Sequence, residues 1–426
     1  MTEPRFLDVT WMRGGTSKGV FIAFDDLAAL GPNFGFMLNQ HFVPERNPQL
    51  STLLAHLLGS PDPYGKQMNG LGGGYSSVSK VMLLARNKNP AWDVDYWFGQ
   101  VDVQSGRIDW SGNCGNLTAA LGPFAIFKGL MSVQTDLYQS AASSVTVRLN
   151  CVNTGQRIDA QVPLRMGQVN WYGQFCEDGV APFETVFGAL AGSAAGTAAG
   201  TIVAGAEVAL DFLQPAADAP LLPTGNPCDE LTVPELGKVP VTLLQAGNPM
   251  VFVRAEKLAP LFKLRGREMP EELAKQPKLL AKLEQLRALG AVKMGLAESA
   301  AEATRVRPAT PKLCLIAPPA NYRSSAGIEI SSESVDVLAR MLSMGKPHHA
   351  IAGTASIALA VAAALPGTVV SEVARTLPGL ATRIGHPAGI TPVEAEVTQE
   401  GGAWVAKRVR LARSARLLLS GKALVL

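Results

Sequence analysis

The sequence predicts an α+β protein of two pseudo-duplicated halves, each mostly strands around one buried apolar helix. Three observations predict it. The chain has 426 residues, more than a single core accommodates at about 100–200 residues per domain. Alternating apolar and polar residues mark strands in both halves, as in Asp93-Val94-Asp95-Tyr96-Trp97-Phe98-Gly99-Gln100-Val101. Each half also carries a polar turn that feeds an apolar helix: Asp109 to Asn116 ahead of 117–129, and Ser343 to Thr354 ahead of Ala355 to Leu365.

Composition narrows the function classes. At 47% hydrophobic and 17% charged residues, with 42 glycines, the chain suits an enzyme of buried sheets and tight turns rather than a disordered or fibrous protein. A formal net charge of +3 with no basic block gives no reason to expect nucleic acid or a membrane surface as partner, while small anions stay compatible. Cys114, Cys151, Cys176, Cys228 and Cys314 are dispersed and never in CxxC spacing, which points away from disulfides and zinc and toward a reducing cytoplasm. Met1 to Asp8 has acids and no apolar run, so no signal peptide is expected. Residues 186–212 and 350–365 are rich in Ala and Gly but interrupted by Thr, Ser or Glu207, and read as buried packing rather than membrane spans.

Residues 7–24 read as strand, turn and strand. The turn, Arg13-Gly14-Gly15-Thr16-Ser17-Lys18-Gly19, sets exposed amides and two hydroxyls beside two cations, chemistry suited to a carboxylate; it lacks P-loop spacing, and an ordinary hairpin is the alternative. A short helix over 49–58 stops at Gly59-Ser60-Pro61-Asp62-Pro63. The loop from Tyr64 to Ser77 then holds five glycines and one lysine, Lys66, which becomes a base near neutral pH if drawn into a dry cleft and is otherwise solvated. Strands over Val78–Leu84 and 94–103 lead to Asp109-Trp110-Ser111-Gly112-Asn113-Cys114-Gly115-Asn116. Here Gly112 and Gly115 permit a close bend, Asn113 and Asn116 are placed to cap free amides, and Cys114 arrives at a helix start as an anion-site thiol or as a small buried residue.

Residues 144–172 return to strand pattern, and 188–206 form an uncharged Ala/Gly-rich crossover. The first domain is therefore expected over 1–187, completed by a C-terminal strand at about 405–426, and the second over 207–404. Within the second, 207–255 read as strands, 267–296 as helices, and Lys312 to Ala317 as a buried strand. In Ser343-Met344-Gly345-Lys346-Pro347-His348-His349 the paired histidines lack a third ligand at metal spacing, so no metal is expected. Arg383-Ile384-Gly385-His386-Pro387 adds a second glycine-bounded cationic turn.

Taken together, Arg13 to Gly19, Gly59 to Gln67, Asp109 to Asn116, Ser343 to His349 and Gly385-His386-Pro387 resemble the 2-methylaconitate cis–trans isomerase (PrpF) family over nearly the whole chain. The resemblance implies the diaminopimelate-epimerase-like fold, two similar domains each with a curled mixed sheet or barrel around a central helix and the site between them. It implies Lys66 and Cys114 as catalytic residues. Substrate contacts would come from Arg13, Thr16, Ser17, Lys18, Gly73, Asn113, Gly115, Asn116, Met344, Lys346, His348 and His386. Epimerases of this fold use a cysteine from each half, whereas the second-half turn here carries Lys346, His348 and His349. That departure favours allylic isomerases. The Pro-Asp-Pro-Tyr-Gly-Lys and Asp-Trp-Ser-Gly positions follow the methylaconitate type rather than 4-oxalomesaconate tautomerases, while Gly74-Tyr75 and 188–206 depart from the family pattern.

The expected reaction is cofactor-independent isomerisation of an unsaturated di- or tricarboxylate, foremost 2-methylaconitate in propionate breakdown. A single base takes a proton next to the alkene and returns it while N–H groups and cations hold the dienolate. A 4-oxalomesaconate-type tautomerase, an amino- or hydroxy-acid racemase, and a non-catalytic accessory protein of an aconitase-like dehydratase are the alternatives. A homodimer and pairing with such a dehydratase are the partner arrangements considered.

Overall fold

The computed structural model describes residues 4–31, 43–133, 143–173, 175 and 205–425, so the 188–206 crossover lies outside the described residues except for its last two. The chain divides into two compact units: one drawn from the chain up to Phe175, the stretch ending at Leu210 and Arg413 onward, the other from Asp211–Ala412.

In the first unit β1 (Arg5–Gly14) and β2 (Ser17–Ala23) form an antiparallel hairpin closed at Gly15-Thr16. β2 runs parallel to β3 (Lys80–Arg86), and β3 pairs antiparallel with β4 (Val94–Val101), bringing Lys80 opposite Gln100. β4 pairs with short β5 (Ile108–Asp109), placing Gln100 opposite Asp109, and runs parallel to β6 (Ser143–Cys151), which pairs antiparallel with β7 (Gln156–Arg165), itself followed by short antiparallel β8 (Gln168–Val169).

Both faces of this sheet are covered, and strand alternation decides which residue meets which helix. Val20, Ile22, Val81, Leu83 and Trp97 pack with Leu50, Leu54 and Leu58 around α2 (Pro48–Leu57), which follows the short α1 (Phe24–Ala28). Asn47 starts α2 by accepting the Leu50 amide at 2.8 Å, and Gly59, at φ +80°, follows its end. On the other face, Phe21 lies 5.5 Å from Phe124 of α3 (Leu121–Phe127). The sequence read one helix over 117–129; its first turn, Leu117–Ala120, is a 3-10 turn instead. Gly122 is required by close packing, because a Cβ there would meet Val162 at 2.5 Å.

The second unit repeats the pairing order. β9 (Glu207–Leu213), which pairs with β7, runs from the first unit into the second, where β10 (Asp229–Val233) pairs antiparallel with β11 (Gly237–Ala246). β11 then forms a hairpin with β12 (Asn248–Arg254), parallel to β13 (Lys312–Ala317); after a separate small hairpin of β14 (Tyr322–Arg323) and β15 (Glu329–Ile330), β16 (Val337–Ser343) pairs antiparallel with β13. β16 pairs with short β17 (Lys346–Pro347) and runs parallel to β18 (Thr382–His386), antiparallel to β19 (Gly389–Glu400). One face carries the long Pro277–Lys293 helix through Leu279, Leu283 and Leu286. The helix Gly353–Ala364, buried from Gly353 to Ala363, is this unit's enclosed helix. β20 (Ala403–Val425) serves both units, pairing with β19 over 403–411 and with β1 over 415–425.

Candidate active site

Cys114 sits in the first unit between β5 and the 3-10 turn, almost fully buried. Its thiol donates to Ser17 Oγ at 3.8 Å, its amide to Asn113 Oδ1 at 2.7 Å, and its carbonyl accepts from the Thr118 amide and hydroxyl. Asn113 is anchored in turn through Nδ2 to Gln156 Oε1 at 3.0 Å. Asn116 does not cap the helix. Its Nδ2 donates to Thr16 Oγ1 at 2.8 Å and its Oδ1 accepts from Arg413 Nε at 2.9 Å. The glycines of the Arg13–Gly19 turn follow from this approach: a Cβ on Gly14 would meet Asn116 O at 2.6 Å, and one on Gly15, at φ +50°, would meet Arg413 Cδ at 2.9 Å. Thr16, Ser17, Asn113, Cys114, Gly115 and Asn116 are thus brought together.

Other expected residues lie elsewhere. Lys18 and Ser17 project to opposite faces of β2, and Lys18 Nζ lies 5.9 Å from the Trp11 ring centre. Arg13 is engaged with Gly15 O and with Ser414 Oγ at 2.9 Å. Lys66 is exposed, and its amide, with those of Tyr64 and Gln67, donates to the Asp62 carboxylate, whose pKa these bonds lower. Gly73 is exposed on the same loop.

The side chain that the sequence reading missed is Lys80. It begins β3 and is 7% exposed; Lys80, Met82 and Leu84 face away from α2, toward the side of the Cys114 turn. Nζ donates to Gln100 Oε1 and lies 5.2 Å from the Phe98 ring centre. Burial pulls the Lys80 ammonium below its ordinary pKa, and the electrostatic influence of Cys114 acts in the opposite sense. Removal from water, which turns a lysine into a base, is met at Lys80 and not at Lys66. The signal in the sequence was a lysine inside an apolar run, Ser79-Lys80-Val81-Met82-Leu83-Leu84. Arg413, 1% exposed, was missed as well.

In the second unit Met344, at φ +54°, and exposed Lys346 form the β16–β17 turn. His348 is buried, accepts the Ala350 amide on Nδ1 at 3.1 Å and stacks on His349 with ring centres 4.6 Å apart. His386 is fully enclosed, with Nε2 2.9 Å from Thr391 Oγ1, a core position rather than an accessible one. Where the first unit enters its helix through Cys114-Gly115-Asn116, the second uses Ala352-Gly353-Thr354, a methyl in place of the thiol. Among the described residues, no three His, Cys, Asp or Glu side chains converge to hold a metal, and no helix is long and apolar enough to cross a membrane.

Asn116 bridges the first-unit cluster to a buried cation. Asn116→Ala, which deprives Arg413 Nε of this acceptor, is expected to lower stability by about 1–3 kcal/mol in urea unfolding. An unchanged midpoint would refute that role.

The PrpF protein family model matches residues 6–203 and 182–426. The chain is 41% identical over 418 residues to the 2-methyl-aconitate isomerase of Shewanella oneidensis, covering 97% of this chain and 95% of that protein. Among solved structures it is similar to a methylitaconate-delta-isomerase, with a TM-score of 0.69 and 30% identity, covering 100% of this chain and 96% of the other. A hydroxyproline epimerase from Agrobacterium vitis shares the fold at a TM-score of 0.51 and 13% identity, with 99% and 93% covered.

Proposed function

Since the chain belongs to the PrpF family and is an isomerase of the diaminopimelate-epimerase-like fold, we propose that it isomerises an unsaturated tricarboxylate, foremost 2-methylaconitate between cis and trans, without a cofactor. The observation that carries this reading is the buried Lys80 amine at the start of β3, on the side of the sheet turned toward the Cys114 turn. Neutral Lys80 takes a proton from the carbon next to the C=C bond and becomes an ammonium; the electron pair spreads into a dienolate, in which the former double bond rotates. The same ammonium returns the proton, so no oxidant or reductant is consumed. The hydroxyls of Thr16 and Ser17 and the amides of Asn113 and Asn116 form the carboxylate-holding set. The methyl of Ala352 supports a one-base isomerisation over racemisation by two thiols.

We assign Lys80, rather than Lys66, as the base. Free thiols at Cys114, Cys151, Cys228 and Cys314 support work in a reducing cytoplasm. A homodimer, and pairing with an aconitase-like dehydratase, belong to the same proposal.

The test is a deuterium-exchange screen in D2O across 2-methylaconitate, trans-aconitate, methylitaconate, 4-oxalomesaconate and L-proline. Exchange and isomerisation of 2-methylaconitate ahead of the others are expected. Racemisation of proline, with no exchange into any unsaturated acid, would overturn the reading.

A further inference from the structure

Gln100 is 2% exposed and sits in the middle of a row across three strands, opposite Lys80 of β3 on one side and Asp109 of β5 on the other. Residues directly opposite one another on neighbouring strands share a sheet face, so the three side chains form one line from the lysine to the turn that delivers Cys114. Asp109 fixes the start of that turn by accepting from the Ser111 amide at 2.9 Å and its hydroxyl at 2.6 Å.

The Gln100 amide has its orientation imposed on it. Nε2 donates to Ser76 O at 3.1 Å and to Ser79 O at 2.9 Å, and a carbonyl can only accept. Oε1 is therefore the atom turned to Lys80. The strand that bears the lysine is tied down from its other side: Ser79 Oγ donates to Val101 O at 2.9 Å and accepts from Gln67 Nε2 at 2.7 Å, while Gln67 also reaches Ser60 Oγ and the Gly74 amide. Lys80 thus emerges from a segment fixed by two buried glutamines.

We propose that Gln100 is a positioning residue: its amide oxygen, locked by two carbonyls that occupy its nitrogen, holds Lys80 Nζ in one orientation on the face shared with Cys114. This rests on the reading of Lys80 as the base. The chemistry explains why an amide stands here. A neutral acceptor orients both the amine and the ammonium, whereas a carboxylate would stabilise the ammonium and keep its proton. The titratable groups around this pair are Cys114, from the turn, and Asp109, next along the row; Phe98 covers it with an apolar ring.

The experiment uses the full chain labelled with 13C/15N-lysine and follows the Lys80 side-chain resonance, assigned by its loss in Lys80→Arg, through a pH titration alongside the pH profile of kcat. In Gln100→Met the ammonium loses this acceptor. The titration and the acidic limb of kcat are then expected to move to lower pH, with kcat down about 10-fold or more and KM changed less than about 3-fold, the signature of lost orientation. Gln100→Glu keeps an oxygen toward Lys80 and adds charge, so both are expected to move to higher pH. Opposite displacements in the two folded variants support the proposal. Coincidence of the Lys80 titration with wild type in both overturns it, as does a change in KM alone. Because the resonance is read without turnover, failure here is separable from failure of the base assignment, which shows as full activity in Lys80→Arg.

Discussion

Lys80→Ala is expected to lower kcat for 2-methylaconitate isomerisation by about 10^4-fold while trans-aconitate still binds, and Lys66→Ala to stay within about 3-fold of wild type. The contrast rests on burial: Lys80 is enclosed at the start of β3 and Lys66 is exposed. Single-turnover deuterium exchange and calorimetry measure the two halves of the prediction. Loss of exchange in Lys66→Ala with exchange retained in Lys80→Ala would reverse the assignment.

The same burial has a thermodynamic sign. In the folded chain Lys80 holds its proton more weakly than the ordinary value of 10.5, so between the folded and unfolded pKa values the unfolded chain binds more protons. The penalty is full below the folded-state pKa and is relieved as pH rises through it toward 10.5. Lys80→Met is therefore expected to be inactive yet to melt at a higher temperature than wild type at neutral pH, with the gap narrowing as pH rises. A lower melting temperature at pH 7 would contradict a burial penalty at Lys80.

Cys114→Ala is expected to lower kcat by about 10^2-fold, the low end of what general-base catalysis contributes, because it disturbs the surroundings of the base without removing it. Cys114 acts on Lys80 electrostatically and donates to Ser17, so its loss removes both influences at once. The control is Cys314→Ala. Burial pushes the Cys314 thiol up to about 12, where it stays protonated and inert. That variant is expected to lose stability, from the small cavity, but to keep its kcat. Equal losses of kcat in both variants would reduce Cys114 to packing.

The repeated architecture was legible because alternation and the two turn-to-helix joints are local signals. Cys114 stood out for the same reason, framed by Gly112, Asn113, Gly115 and Asn116. Lys66 drew attention among five glycines, which mark a bent loop but carry no information on burial. Lys80 was hidden inside an apolar run, where a lysine reads as the edge of a strand. Gln100 could not be read at all, since its role depends on a register that sets residues 20 positions apart face to face. Arg413 meets Asn116 across 297 positions of sequence, and only the fold brings them together.

The loop from Gly59 to Gly74 constrains how this enzyme can be re-engineered. A Cβ on Gly70 would collide with the Gly59 backbone, one on Gly72 with the Gln67 amide, and one on Gly74 would meet Gly65 O at 2.5 Å. Tyr64, Met68 and Tyr75 on the same loop are 86%, 87% and 71% exposed, so their side chains carry little of the packing that shapes it. A combinatorial library that varies this loop should diversify Tyr64, Met68 and Tyr75 and keep the glycines fixed. In such a library, folded clones would tolerate many residues at the three tips and almost none but glycine at the base.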